Sequence, residues 1–317
     1  MRYLVTGAAG FIGSHLCERL LALGHEVHAL DAFIPYYPKA LKEANQHEAL
    51  QHPKYRFFPL DLRTDNLAEA VAGVDVVYHL AAMPGLVASW TDFDLYQSCN
   101  LTATQRLLET VRSVTTLKRF IYGSTSSVYG NTTRLPFIET DPCDRPLQPY
   151  AAAKRAAEIL GHTYHYLFGQ NFTALRFFTV YGPNGRPDMM AYLVADSITK
   201  GKQIPLYDGG RMYRNWTYVD DTVAGVAAAL DRPLGYEIIN LGQDQPVLLA
   251  DFVGMMEELS GRKANVVATP RLPADVTSNE ADISKARRLL DYDPRVPVAE
   301  GVRRFWEWYR RYDLHES

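Results

Sequence analysis

Cysteine is scarce in this sequence, and what there is forms no pattern. Cys17, Cys99 and Cys143 are scattered, odd in number and not at metal-ligand spacing. A disulfide framework is excluded, no metal site is expected, and a reducing, cytoplasmic setting fits. An excess of charge is lacking too: 33 Lys+Arg stand against 36 Asp+Glu, which points away from nucleic acid and from membrane surfaces as partners. No uninterrupted apolar run reaches membrane-spanning length. Met1-Arg2-Tyr3-Leu4-Val5-Thr6 is expected to enter a strand directly, with no charged-then-apolar leader. Internal repeats and low-complexity linkers are also lacking.

What the first half does contain is an alternation of short apolar runs with helical patterns, the sign of a parallel, doubly wound α/β (Rossmann) sheet. Strands are predicted at Tyr3–Thr6, Val27–Leu30, Tyr55–Pro59, Val74–Leu80, Arg119–Tyr122 and Thr173–Arg176. Helices are predicted at Ile12–Leu23, Asp94–Val111 and Pro149–Phe168. In the last of these, Leu160, Tyr164 and Leu167 form an apolar stripe that packs on the sheet or on a second subunit. Beyond the Pro- and Gly-rich stretch 181–187 the pattern is mixed. Short strands are expected near Ile204–Tyr207 and Trp216–Tyr218, with helices near Asp188–Lys200, Thr222–Leu230 and Leu249–Ser260. Val298–Tyr312 reads as a surface helix carrying Trp306 and Tyr309. Residues 1–180 are expected to form a dinucleotide-binding domain and residues 181–317 a smaller substrate domain interleaved with it.

Between the first strand and helix lies Val5-Thr6-Gly7-Ala8-Ala9-Gly10-Phe11-Ile12-Gly13. Gly7 permits a tight turn, Gly10 lets the backbone approach a pyrophosphate, and Gly13 lets helix and strand pack closely. The free N–H groups and positive dipole of the helix start at Phe11 and Ile12 then face the phosphates. Asp31 ends the second strand, where a carboxylate accepts hydrogen bonds from ribose hydroxyls and repels a 2′-phosphate. Ala32 and Phe33 supply no cation to hold such a phosphate, so NAD is expected rather than NADP. Asp61-Leu62 either brackets the adenine or makes a cap before Thr64. Leu80-Ala81-Ala82 is either a small-residue passage for the dinucleotide or plain sheet core.

Downstream, Tyr150 and Lys154 lie one helical turn apart and on one face. A phenol titrates near ~10 and is a poor base at neutral pH unless its anion is stabilised. A neighbouring ammonium and the positive ring of an oxidised nicotinamide would make Tyr150 usable as a general base. Upstream, Ser124-Thr125-Ser126-Ser127 closes a buried strand with consecutive hydroxyls, each of which needs a partner.

With these motifs in view, the chain resembles an extended short-chain dehydrogenase/reductase of the nucleotide-sugar epimerase and dehydratase group. The resemblance runs through Thr6–Gly13, Ser124–Gly130, Tyr150/Lys154, Arg176–Met189, Arg214–Asp221 and Asp275–Ala286. Leu175–Met189, and Tyr36-Tyr37 followed by Leu41-Lys42-Glu43-Ala44, most resemble UDP-glucuronate 4-epimerases. Dehydratases of the group carry an Asp-Glu pair where this chain has Ser126-Ser127, and nucleotide-glucuronate decarboxylases carry a glutamate at Ser127. UDP-glucose 4-epimerases place an asparagine at Thr179.

The resemblance implies that Tyr150 removes the proton of the sugar 4-OH while hydride leaves C4 for NAD, and that the keto sugar then turns over. It implies that Thr125 bonds the reacting oxygen, and that Lys154 holds the ribose and depresses the Tyr150 pKa. It also implies that Arg214 grips the diphosphate of a UDP-sugar, with Asp275 on the uridine side and a homodimer formed through paired helices. A 4-keto glucuronate is a β-keto acid and loses CO₂ when its carboxylate bond aligns with the π system. Ser126, Ser127, Thr179 and Arg186 are the candidates to prevent that alignment. Two other readings stand: epimerisation of UDP-glucose or a UDP-N-acetylhexosamine, and a non-catalytic NAD-binding regulator.

Overall fold

The computed structural model describes residues 1–229 and 234–316. Strands β1 (Arg2–Thr6), β2 (Glu26–Leu30), β3 (Tyr55–Phe58), β4 (Val76–His79), β5 (Arg119–Thr125) and β6 (Phe172–Phe177) lie in one parallel sheet. Tyr236–Leu241 is the seventh strand, and the order across the sheet is Tyr236–Leu241, β6, β5, β4, β1, β2, β3. Every residue of β5 is buried, as both faces of such a sheet are covered. Alternation divides the core accordingly. Tyr3, Val5, Val76 and Tyr78 join one apolar cluster, while Leu4, Val77, Phe120 and Tyr122 join the cluster on the other face.

From β1 the chain winds outward to β3, then returns beside β1 at β4 and winds the other way. That reversal opens a crevice at the carboxyl ends of β1 and β4.

The helix Pro149–Phe168 begins with Pro149 in its first turn and ends at Gly169, whose left-handed backbone returns its N–H to His165. It rides close on the sheet at Gly161, where a Cβ would sit 2.3 Å from the Phe172 ring. Its buried face includes Lys154, Glu158 and Tyr164. Of the predicted stripe, Leu160 and Tyr164 pack on the sheet cluster, whereas Leu167 is exposed.

Several elements differ in detail from expectation. The predicted helix over Asp94–Val111 runs Phe93–Val111 and widens to a π-turn at Ser98–Thr102. The C-terminal helix, Val298–Glu316, lies at the surface as expected, with Arg303, Arg304 and Glu307 exposed, while Phe305, Trp306 and Tyr309 are buried on its inner face and Tyr309 hydrogen-bonds Asp196. The strand Tyr236–Leu241 was not foreseen. The helix predicted at Thr222–Leu230 runs Val219–Ala228, and Leu230 lies outside the described residues. Short ladders complete the carboxyl-terminal part. Thr179–Tyr181 pairs with Trp216–Tyr218, and Tyr213–Arg214 lies between Val247–Leu248 and Ser278–Asn279. Among the described residues, no helix is long and apolar enough to cross a membrane.

Candidate active site

Two cavities meet at Tyr150 and Arg186. The first follows the crevice and is lined by Gly7, Gly10, Phe11, Ile12, Gly13, Asp31, Asp61, Leu62, Leu80, Ala81, Ala82, Tyr150 and Lys154. All the residues expected around a dinucleotide therefore border one space.

The three glycines have separate physical reasons. Gly7 has φ +69° and its Cβ would lie 2.8 Å from the Ala81 nitrogen. At Gly13 a Cβ would stand 2.1 Å from the Gly7 oxygen, so helix and strand pack without room for a side chain. Gly10 differs: its Cβ would meet only the Gly7 oxygen, at 3.1 Å, and otherwise project into open space. Protein packing demands glycine at 7 and 13, whereas at 10 it leaves the cavity floor bare for a ligand. The cradle fits a dinucleotide diphosphate.

Asp31 accepts the Ala9 N–H at 3.2 Å and the Phe33 N–H at 2.9 Å, which ties the glycine loop to the end of β2. A cation does reach this region, from further along the chain than Ala32 and Phe33. Lys42 lines the cavity with its ammonium 3.1 Å from the Ile34 carbonyl. The Asp61 carboxylate is committed to Arg63, at 2.8 Å, and this contact holds it below the usual carboxylate range. It also accepts the Arg63 N–H as a local turn. Asn100, in the π-turn, holds both backbone polar groups of Met83 and so fixes the cavity wall after β4.

Lys154 is buried, with Nζ 2.6 Å from the Gly123 carbonyl and 4.5 Å from the centre of the Tyr122 ring. Burial pushes its pKa down to about 7, against an opposing pull from Glu158. Burial raises the Tyr150 pKa, and the two influences that lower it are the Thr125 hydroxyl and the Arg186 charge, not Lys154. In this arrangement the lysine is oriented by β5 rather than by the phenol.

The hydroxyl cluster finds its partners. Ser124 donates to Glu158 at 2.6 Å, and Glu158 also receives two hydrogen bonds from the fully buried Arg176. Thr125 and Ser127 bond each other at 3.2 Å, and Ser126 receives the Asn279 amide at 3.2 Å.

The second cavity is lined by Thr125, Ser126, Ser127, Tyr150, Thr179, Arg186, Arg214 and Asp275, so it gathers every residue expected around a substrate. Two of the expected ligands are paired with protein partners. Arg186 is held by Asp188 through Nε at 2.9 Å and Nη2 at 3.1 Å, and Tyr36 donates to the same carboxylate at 3.0 Å. Arg214 and Asp275, expected at separate parts of the ligand, form an ion pair of 2.8 Å. Arg271 donates to the Asp275 carbonyl and its charge is felt by Arg214, so two cations flank this mouth. Gln148, Asn279, Tyr36 and Asp188 also line the cavity and were missed as site residues. Tyr36, Asp188 and Asn279 lie in stretches that carry the family resemblance, and nothing in the residue spacing marks any of the four as a ligand.

The family model described as "NAD dependent epimerase/dehydratase family" matches residues 3–242. The chain belongs to this family. A UDP-glucuronate 4-epimerase of Thermodesulfobacterium geofontis is 38% identical, over 96% of this chain and 95% of that one. An uncharacterized UDP-glucose epimerase of Bacillus subtilis is 40% identical, over 95% and 96% respectively. In structure, the chain is similar to the UDP-glucuronic acid 4-epimerase of Bacillus cereus solved with UDP-glucuronic acid and NAD. That likeness has a TM-score of 0.93 at 37% identity and covers 98% of this chain and 100% of the other. The dTDP-glucose 4,6-dehydratase of Streptomyces venezuelae superposes with a TM-score of 0.92 at 29% identity.

Proposed function

We propose that this chain is an NAD-dependent UDP-sugar 4-epimerase that interconverts UDP-glucuronate and UDP-galacturonate. One observation carries the reading. Tyr150 stands at the junction of the dinucleotide cradle and a second cavity whose wall, at Ser126 and Ser127, offers hydroxyls and no acid/base carboxylate. That wall suits oxidation and re-reduction at one carbon without elimination of water. Bound NAD supplies the acceptor, and later the source, of the C4 hydride. Tyr150 takes the 4-OH proton and returns it, with the Thr125 hydroxyl beside it to hold the reacting oxygen. Lys154, held by Gly123, presents its amine to the ribose side of the cradle. Ser126, Ser127, Thr179 and Arg186 restrain the sugar carboxylate; Arg214 and Arg271 attract the diphosphate, with Asp275 toward the uridine.

In this reading residues 1–180 supply the dinucleotide site and the catalytic side of the nucleotide-sugar site, which residues 181–317 complete with Arg186, Arg214 and Asp275, and Tyr236–Leu241 returns to the main sheet. A homodimer through the helix Pro149–Phe168 accounts for its exposed Ile159, Tyr166 and Leu167. Leu167→Arg should shift the protein to monomer in sedimentation; an unchanged dimer would place the interface elsewhere.

The deciding experiment is NMR of the product from UDP-glucuronate, which reports the C4 epimer and any pentose together. A second reading, epimerisation of a neutral UDP-hexose, draws on the Arg186–Asp188 pair, which already supplies that guanidinium with a carboxylate. Turnover of UDP-glucose but not UDP-glucuronate would select it.

A further inference from the structure

Gln148 precedes the helix Pro149–Phe168 and is 6% exposed. Its Nε2 donates to the carbonyl of Ala274, on the segment that carries Asp275. An amide nitrogen and oxygen are often interchangeable in a structure, but not here. The partner is a carbonyl, which only accepts, so the donor end must face it. The other end is therefore the oxygen. That Oε1 is buried, has no hydrogen-bond partner among the described residues, and belongs to a side chain lining the second cavity.

A buried amide oxygen without a partner is costly, and native structures seldom leave one so. A cavity wall is where a ligand's donor can satisfy it. Along the chain the residue is two positions from Tyr150, and across its hydrogen bond it adjoins the segment of Asp275, the partner of Arg214. It thus lies between the reacting centre and the end assigned to the diphosphate, where the sugar ring would lie. Phosphate and carboxylate groups offer no proton at neutral pH, whereas a sugar hydroxyl does.

We infer that Gln148 is a substrate-binding residue whose amide oxygen accepts a hydrogen bond from a hydroxyl of the sugar ring. The inference rests on reading the second cavity as a nucleotide-sugar site. The same side chain ties the catalytic helix to the 274–276 segment, so ligand binding and the shape of the cavity mouth are linked through one amide.

The test compares NAD-loaded wild type with Gln148→Ala and Gln148→Met, the second of which keeps the side-chain volume. KM and kcat for UDP-glucuronate are measured beside inhibition by UDP alone. Loss of the sugar contact should raise KM for UDP-glucuronate about two- to tenfold beyond any weakening of UDP, which reports the tether to Ala274 that both variants also lose. Equal weakening of UDP and UDP-glucuronate would overturn the inference, because the residue would then serve the nucleotide or only the loop. An unchanged KM in both variants would overturn it as well. Should neither variant fold, a crystal structure of the wild-type holoenzyme with UDP-glucuronate decides. A sugar hydroxyl within about 3.2 Å of Oε1 supports the contact, and none within about 3.5 Å overturns it. Failure of UDP to bind wild type would count against the nucleotide-sugar reading itself, which separates the two failures.

Discussion

Asp188 grips Arg186 with both carboxylate oxygens, Oδ1 at 2.9 Å from Nε and Oδ2 at 3.1 Å from Nη2, at the point where the two cavities join. A substrate carboxylate must share this guanidinium with Asp188 or displace it. A charge-assisted contact of this type is worth about 1.5–3 kcal/mol, or ten- to a hundredfold in binding. Arg186→Ala should therefore weaken UDP-glucuronate by that factor more than UDP-glucose. Asp188→Asn, which loosens the internal competitor, should move the preference toward UDP-glucuronate. Steady-state kinetics on both sugars check both variants, and equal losses for Arg186→Ala would favour a UDP-hexose epimerase.

Restraint of the carboxylate has its own chemical signature. Ser127 is held by Thr125 at 3.2 Å, and Thr179 faces the same cavity. Removing either hydroxyl lets the carboxylate swing toward the keto π system. Thr179→Ala and Ser127→Ala should release CO₂ and form some UDP-pentose from UDP-glucuronate. Trapped CO₂ at the wild-type level in both variants would remove these residues from that role.

Burial holds Tyr150 protonated through the neutral range, while the Thr125 hydroxyl and Arg186 work against it. Activity that needs the phenolate should rise with pH from about 7 to 9. Tyr150→Phe should abolish that rise and cut turnover roughly 10²-fold or more, with fold and NAD content intact. A folded Tyr150→Phe protein with near-normal turnover would remove Tyr150 from the mechanism.

Periodicity made the sheet and the glycine turn legible, because strand alternation and the strand–glycine–helix order are local properties of the chain. Tyr150 and Lys154 were legible for the same reason. Pairings between distant segments were not. Nothing in the spacing announces that Arg214 meets Asp275, that Gln148 meets Ala274, or that Asn100 holds Met83. The strand Tyr236–Leu241 was hidden by Glu237 and Asn240, which interrupt its apolar run. Glu237 pairs with Lys285, and Asn240 accepts from Tyr129 at 2.7 Å. The charges of Val298–Glu316 mark a surface helix without saying what buries Trp306 and Tyr309. The packing that turns them inward comes from the helices Met190–Lys200 and Leu249–Ser260.

The buried Glu158–Arg176 pair supports the site from below. Both side chains are fully buried, and Ser124 joins them from the end of β5. Glu158 also pairs with Arg155, so it is removal of Glu158 that leaves a buried charge, the Arg176 guanidinium, uncompensated, at a cost of about 3–5 kcal/mol. Glu158→Gln should lower the denaturation midpoint by a corresponding amount. Arg176 holds Glu158 below its usual range, so the pair's contribution is present above the ordinary carboxylate pKa and fades as pH falls through the lowered one. A Glu158→Gln protein as stable as wild type at pH 7 would mean the pair is not needed for stability.

The two helix-start glycines separate folding from cofactor binding. Gly13→Ala forces a methyl to 2.1 Å from the Gly7 oxygen and should give little folded protein. Gly10→Ala places its methyl in the cavity, in contact only with the Gly7 oxygen, and should fold while losing NAD(H). Circular dichroism and the nucleotide released on denaturation distinguish these outcomes. Retained NAD in a folded Gly10→Ala protein would mean that the diphosphate does not cross this floor.

Lys154 should cost stability at the pH where it serves the reaction. Its pKa falls to about 7 in the folded protein, whereas an unfolded lysine keeps its proton to about 10.4. Below pH about 7 both states carry the proton, and the full cost of burying the charge is present. Between about 7 and 10 only the unfolded chain holds the proton, so this group makes stability rise with pH. Lys154→Met removes both the charge and its titration. In NAD(H)-free protein the variant should be more stable than wild type at pH 6, and the gap should narrow steadily toward pH 9. Turnover should be lost at every pH. A gap that stays constant across that range would mean that the Gly123 carbonyl and Glu158 keep Lys154 charged throughout.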